Sequence, residues 1–252
     1  FVFFQMIHKN YSSDISKRKI LLLSAPIFFA NLAIPFVGIV DTGLMGNLLE
    51  AKFLVATSIA SSIMAMIIWS FAFLRMGTVG IVAQLYGKSD YREISKTLLR
   101  NFLIAVLISL LIILLKPVII NSAKTFFQTS NETSDLIDTY ISVRVLSAPA
   151  ELIIYILIGF YLGIQKTTIS SLLLIILSTL NIIFSSFFVL SLNLNVFGVV
   201  LGTLIASYLT VTLFSIYTYR FIKKRFQITP TFQKIFVPSK FLKLFNINFD
   251  IF

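Results

Sequence analysis

Asp41 is the only charged residue between Ile20 and Gly46, a run long and apolar enough to cross a bilayer as a helix. An ionised Asp near the middle of a membrane helix costs roughly 2.5–3.5 kcal/mol on insertion scales, so intramembrane acids face a protein interior or a wet cavity and mark proton or cation sites. At about 1.5 Å per residue, Asp41 lies roughly 8 Å below the Gly46 end of its helix. Asn181 lies roughly 16 Å below Leu192, and Thr203 roughly 10 Å below Val196, on the same reckoning. A carboxylate, a carboxamide and a hydroxyl at comparable depth are the groups needed to hold a proton or a hydrated cation in an apolar bundle. Spacing fixes their depth and leaves their rotation open. Pro26 and Pro35 sit in the same run as Asp41; each removes a backbone donor and disfavours a straight helix. A bend there would tie helix shape to the state of the carboxylate; the alternative is a static kink filled by neighbours.

Other chemistries have little to work with. Cysteine is absent and the one histidine, His8, stands in the polar leader. Thiol catalysis, disulfides and cysteine or histidine metal sites are therefore excluded or unsupported. No nucleophile, base and orienting partner fall together on any loop, so the chain is read as not an enzyme, with no metal and no cofactor beyond a coupling ion.

The elements that must position Asp41 follow from composition. The 252 residues are 58% apolar and 12% charged, with a mean hydropathy of +0.95, which marks an integral membrane protein. Long continuous apolar runs predict helices rather than the alternating ten-residue strands of a barrel. Six spans are expected, over 20–46, 53–86, 98–120, 136–164, 167–192 and 196–219, forming an all-α transmembrane bundle. The second is longer than a bilayer requires and is expected to project beyond the hydrocarbon. Residues 1–19 read as a cytoplasmic leader, 20–219 as the six-span bundle, and 220–252 as a basic cytoplasmic linker whose lysines face anionic lipid while its phenylalanines dip toward the headgroups.

The net charge of +11 belongs to this topology and not to nucleic-acid binding. Of the 21 Lys and Arg, 16 fall in the leader, the loop after the second span, Lys166 and the tail, against 3 (Lys52, Lys116, Lys124) on the other side. That asymmetry predicts a multi-pass protein of the inner (plasma) membrane with both ends of the chain cytoplasmic. Arg75 and Arg144 fall within spans. Arg75 reads as a snorkelling or locally paired arginine. Arg144 and Glu151 share a helix face, but two turns separate them, so each is expected to pair with another span; Glu151 is either a structural ion-pair partner or a second titratable site.

One ordered set of fragments is more specific. The run Ser24-Ala-Pro26, Asn31-Leu-x-x-Pro35 and Val40-Asp41-Thr42-x-x-Met45-Gly46 resembles the opening helix of multidrug and toxic compound extrusion (MATE) transporters. Phe73-Leu-Arg75-Met-Gly77-Thr-x-Gly80, Tyr140-Ile-x-x-Arg144-x-x-Ser-Ala-Pro149-Ala and Gly159-x-x-x-Gly163-x-Gln165 are similar to the DinF-like branch, and Asn181 and Gly198-x-x-x-Gly202-Thr203 continue the match in order. The resemblance implies twelve helices in two six-helix lobes and export of bulky, often cationic or amphipathic small molecules in exchange for protons or sodium ions. This chain would be the amino-terminal lobe with the linker, its partners being the small-molecule substrate, the lipid bilayer and a missing carboxy-terminal lobe. Carried over residue by residue, Asp41 would be the cation-coupling carboxylate, with Asn181, Thr203 and Tyr140 around it. Where many relatives have a second acid four residues after the fifth-span Asn, this sequence has Ser185, which leaves Asp41 as sole carrier or a sodium-like site of neutral oxygens. Two other readings stay open: a lipid-linked oligosaccharide flippase of the same superfamily, which should show a strongly cationic cavity, and a non-transporting membrane fragment or scaffold.

Overall fold

A computed structural model describes residues 17–48 and 50–228. Among them there is no strand. The helices are α1 (Lys17–Gly46), α2 (Ala51–Ser70), α3 (Phe73–Gly87), α4 (Tyr91–Leu114), α5 (Lys116–Phe127), α6 (Asn131–Arg144), α7 (Ala148–Gly163), α8 (Thr167–Ser186) and α9 (Asn195–Phe221). A 3₁₀ turn, Val145–Ser147, joins α6 to α7, and π turns follow α8 (Phe187–Ser191) and α9 (Ile222–Phe226). The leader, including His8, and the tail beyond residue 228 lie outside the described residues.

Among the described residues, five stretches are long and apolar enough to cross a membrane: Ala51–Gly87, Tyr91–Leu114, Asn131–Gly163, Thr167–Ser191 and Asn195–Phe226. Helix α1 adds 30 residues of uninterrupted helix that passes through both Pro26 and Pro35. Four of the expected spans differ in their interiors or ends. The second is not one helix: it breaks at Phe71 and Ala72, where Ala72 donates to Trp69 O and Leu74 to Phe71 O in three-residue turns. The third ends at Leu114 rather than running to residue 120, because Pro117, in the first turn of α5, cannot donate within a continuing helix. The fourth is divided at Val145–Ser147 for the same reason, with Pro149 in the first turn of α7. The sixth runs past residue 219, and its final turn packs on the bundle, where Phe226 stacks on Tyr91 with ring centroids 4.4 Å apart.

Connections are short and end in left-handed residues. Ser89 (φ 55°) and Gln165 (φ 60°) take the position usually given to glycine. Asp90 N–H then donates to Leu85 O at 3.0 Å, and Lys166 N–H to Tyr161 O at 2.8 Å, closing α3 and α7. The Asp90 carboxylate accepts from Glu93 N–H at 3.0 Å and starts α4.

Helix α7 is the centre of the bundle: Leu152, Ile156, Leu157, Phe160 and Tyr161 are fully buried. It packs against α3, α4 and α9, while α2 lies on α6, and α1 and α9 both lie on α8. Outward, Trp69, Leu107, Leu114 and Phe126 are exposed, as a lipid-facing surface requires.

Small residues set the close approaches. A Cβ at Gly159 would stand 2.7 Å from Arg75 O, and one at Gly163 would stand 2.8 Å from the Val82 side chain, so this pair seats α7 on α3. At Gly202 a Cβ would meet Ser185 N and Oγ at 2.5 Å. Because the obstacle includes backbone, α8 and α9 would have to part. Gly202→Ala is therefore expected to cost about 1–3 kcal/mol by overpacking, read as an earlier midpoint in SDS-induced unfolding followed by circular dichroism. An unchanged midpoint would show that this contact is not tight.

Candidate functional site

Among the described residues, two of the polar clusters in the apolar bundle include the residues picked out by the sequence. The first joins α8 to α9. Asn181 Nδ2 donates to Thr203 Oγ1 at 2.9 Å, and Thr203 Oγ1 donates to Val199 O at 3.2 Å. Ser185 Oγ lies 3.4 Å from Asn181 Oδ1 and 3.3 Å from Val199 O, one helical turn along from Asn181. Asn181 and Ser185 are buried. Position 185, which carries a hydroxyl where an acid was to be looked for, thus faces the Asn181–Thr203 pair directly.

The second cluster is built on the α6–α7 junction. The Arg144 guanidinium grips both oxygens of Glu151: Nη1 meets Oε1, and Nη2 donates to Oε2 at 3.1 Å. Ser147 sits between them; its Oγ contacts Arg144 Nη1 and donates to Glu151 Oε1 at 2.8 Å or to Arg144 O at 2.6 Å. The buried Tyr140, one turn before Arg144, lies within electrostatic reach of the guanidinium. Tyr208 on α9 donates to Leu146 O at 3.0 Å, tying the 3₁₀ turn to the bundle.

This corrects the expectation that Arg144 and Glu151 pair with other spans. They pair with each other. Seven residues of helix separate the two backbones by roughly 10 Å, but the Glu side chain leans toward the helix N-terminus and the long Arg arm meets it. The missed signal was Ser147, three residues after Arg144 and four before Glu151, two residues before Pro149. Arg75 takes the local option: its guanidinium lies over the Tyr155 ring, 5.9 Å from the centroid.

Asp41 enters from α1. Its carboxylate is within electrostatic reach of both Arg144 and Tyr140, and its Oδ1 is shut from solvent without a hydrogen-bond partner. It makes no hydrogen bond to Asn181 or Thr203 among the described residues. The structure therefore brings Asn181 and Thr203 into contact, buries Tyr140 within electrostatic reach of Arg144, and puts Asp41 near the second cluster, on the helix that packs along α8. Nearly all buried polar groups in proteins are satisfied, so an orphaned carboxylate oxygen beside a committed cation is a place for a proton or a metal ion. No group of three or more His, Cys, Asp or Glu able to hold a metal is present among the described residues, so any ion here would rest on Asp41 and neutral oxygens.

A family profile described as MatE matches residues 26–187. The chain belongs to the MatE family. Among curated relatives it is 31% identical over 229 residues to DNA damage-inducible protein F of Escherichia coli (strain K12), covering 91% of this chain and 50% of that protein. It is 25% identical over 232 residues to multidrug export protein MepA of Staphylococcus saprophyticus, with the same coverage. The chain thus spans about half the length of the curated relatives it matches. Among solved structures, a MOP superfamily transporter from Pyrococcus furiosus superposes with a TM-score of 0.80 at 19% identity, over 91% of this chain and 50% of that one. An outward-facing multidrug resistance MATE family transporter does so with a TM-score of 0.79 at 19% identity, over 89% and 49%. These likenesses establish the fold as one lobe of such a transporter, all-α and multi-pass. They bear out the resemblance to the DinF-like branch, and the family's members are transporters rather than enzymes.

Proposed function

We infer that this chain is the amino-terminal lobe of a cation-coupled antiporter that exports bulky amphipathic or cationic compounds in exchange for protons or sodium ions. The observation that carries this reading is Asp41: an acid on an apolar helix, its Oδ1 buried and unpartnered. Apolar surroundings penalise the ionised form of such a group. Entry of a proton or sodium ion from the outer side neutralises it, alters how α1 lies on α8, and favours release of substrate before the lobes reorient. Asn181, Thr203 and Tyr140 supply the polar wall, and Pro26 and Pro35 the places where α1 bends. The second lobe completes the cavity, and both ends of this chain face the cytoplasm of a cell whose inner membrane it spans.

Moving one charge through 100 mV supplies about 2.3 kcal/mol, so the driving force needs no covalent chemistry. The test is counterflow. The two-lobe protein is reconstituted in liposomes, loaded with a fluorescent cationic dye, and given either an inward pH gradient or an inward sodium gradient. One of the two is expected to drive dye out at least several-fold faster than no gradient. Equal dye movement under all three conditions would remove the antiport reading.

A further inference from the structure

We propose that the bundle holds a second ligand site, separate from Asp41, for the anionic head of an amphiphile: an oxyanion carried on an apolar chain. The site is a cleft of about 380 Å³ between α1, α3, α7 and α8, within the usual range for small-molecule sites. Its walls include Val79, Leu162 and Leu174, and its polar groups include Asn31, Arg75 and Ser171. Ser171 is 3% exposed, and its Oγ is buried without a hydrogen-bond partner. A buried hydroxyl with no partner in the wall of the cleft is free to turn its O–H toward an acceptor there.

Arg75 supplies the charge. It has no ion pair among the described residues. Glu151, the acid on the neighbouring α7, is held at both oxygens by Arg144, so it does not neutralise Arg75. The guanidinium lies over the Tyr155 ring, 5.9 Å from its centroid, a contact that gives its N–H donors no oxyanion, the partner they bind in a fork. A cation inside the span with no acid of its own and with an unsatisfied hydroxyl in the same cleft fits an anion. It does not fit the cationic compounds assigned above to export.

The position of the cleft agrees with a membrane-borne ligand. Leu162 and Ser171 flank the turn between α7 and α8, which carries Lys166, so the cleft reaches the end of the bundle richest in Lys and Arg. Anionic lipid gathers at such an end. Arg75 lies twelve residues before Gly87, hence roughly 18 Å in from that end, and the apolar walls lie between.

The ligand chemistry has two sources, a membrane phospholipid or a free amphipathic carboxylate, and one experiment separates them. The two-lobe protein in detergent is titrated with phosphatidylglycerol, with dodecanoate and with phosphatidylethanolamine, and adducts are counted by native mass spectrometry. Wild type is expected to take up one molecule of at least one anionic probe at lower concentration than phosphatidylethanolamine. The probe that binds identifies the source. Arg75→Gln should weaken that adduct at least tenfold, and Arg75→Lys and the control Arg92→Gln less than threefold. Ser171→Leu, which fills the cleft while leaving the charge, should also weaken it tenfold and serves if Arg75→Gln does not fold. Wild-type affinity in the Arg75→Gln or Ser171→Leu protein, equal uptake of phosphatidylethanolamine, or no adduct with either anionic probe would overturn the site. Because the readout is binding and not flux, loss of antiport by other variants leaves this result untouched.

Discussion

Glu151→Leu should lower stability by about 3–5 kcal/mol, the usual result of stripping one partner from a buried ion pair. Both side chains of the pair are only 14% exposed, and Arg144 keeps its charge when Glu151 is lost. Ser147 then remains as a neutral partner for a guanidinium that had a carboxylate on two of its nitrogens. Arg144→Met should cost a similar amount by leaving Glu151 uncompensated. The double replacement Arg144→Met/Glu151→Leu should cost far less than the sum of the two, since apolar pairs of similar volume often replace buried ion pairs without loss. SDS titration of all four proteins closes the cycle. Additive costs would mean that the pair contributes nothing as a pair.

Stability is only part of what this pair does. It sits where α6 gives way to α7 through a 3₁₀ turn, and it fixes the guanidinium within electrostatic reach of Asp41. The guanidinium is held by its own carboxylate and makes no hydrogen bond or ion pair with Asp41 among the described residues. The antiport reading proposed above requires that an arriving ion decide the state of Asp41.

Much of the architecture was legible in the sequence because hydrophobic length is a strong signal. The run 167–192 became α8 with the π turn that follows it to Ser191, and the run 196–219 became α9, which starts at Asn195 and continues past the expected end. Interruptions were harder. Pro117 and Pro149 carry a clear local rule, yet the apolar pattern runs straight through them, and the pattern dominated the reading of spans 98–120 and 136–164. The break at Phe71 and Ala72 has no proline or glycine to announce it. At the site, residue type and depth picked out Asn181 and Thr203, which are in contact. Depth carries no rotational information, so the absence of a bond from Asp41 to that pair, and its approach to Arg144 and Tyr140 instead, depended on how α1 lies in the bundle. The Arg144–Glu151 pair was misassigned because helix spacing was applied to backbones while side-chain reach and direction were left out.

The central claim is that Asp41 carries the coupling ion, and Asp41→Asn isolates it. The substitution keeps size and hydrogen-bonding capacity while removing the charge and the titration, so folding is expected to survive and transport is not. The measurement is dye efflux driven by an imposed cation gradient in everted vesicles containing the two-lobe transporter, at matched expression. Gradient-driven efflux by the Asp41→Asn protein should fall to the level of vesicles without transporter. Wild-type efflux with its gradient dependence intact would contradict the account.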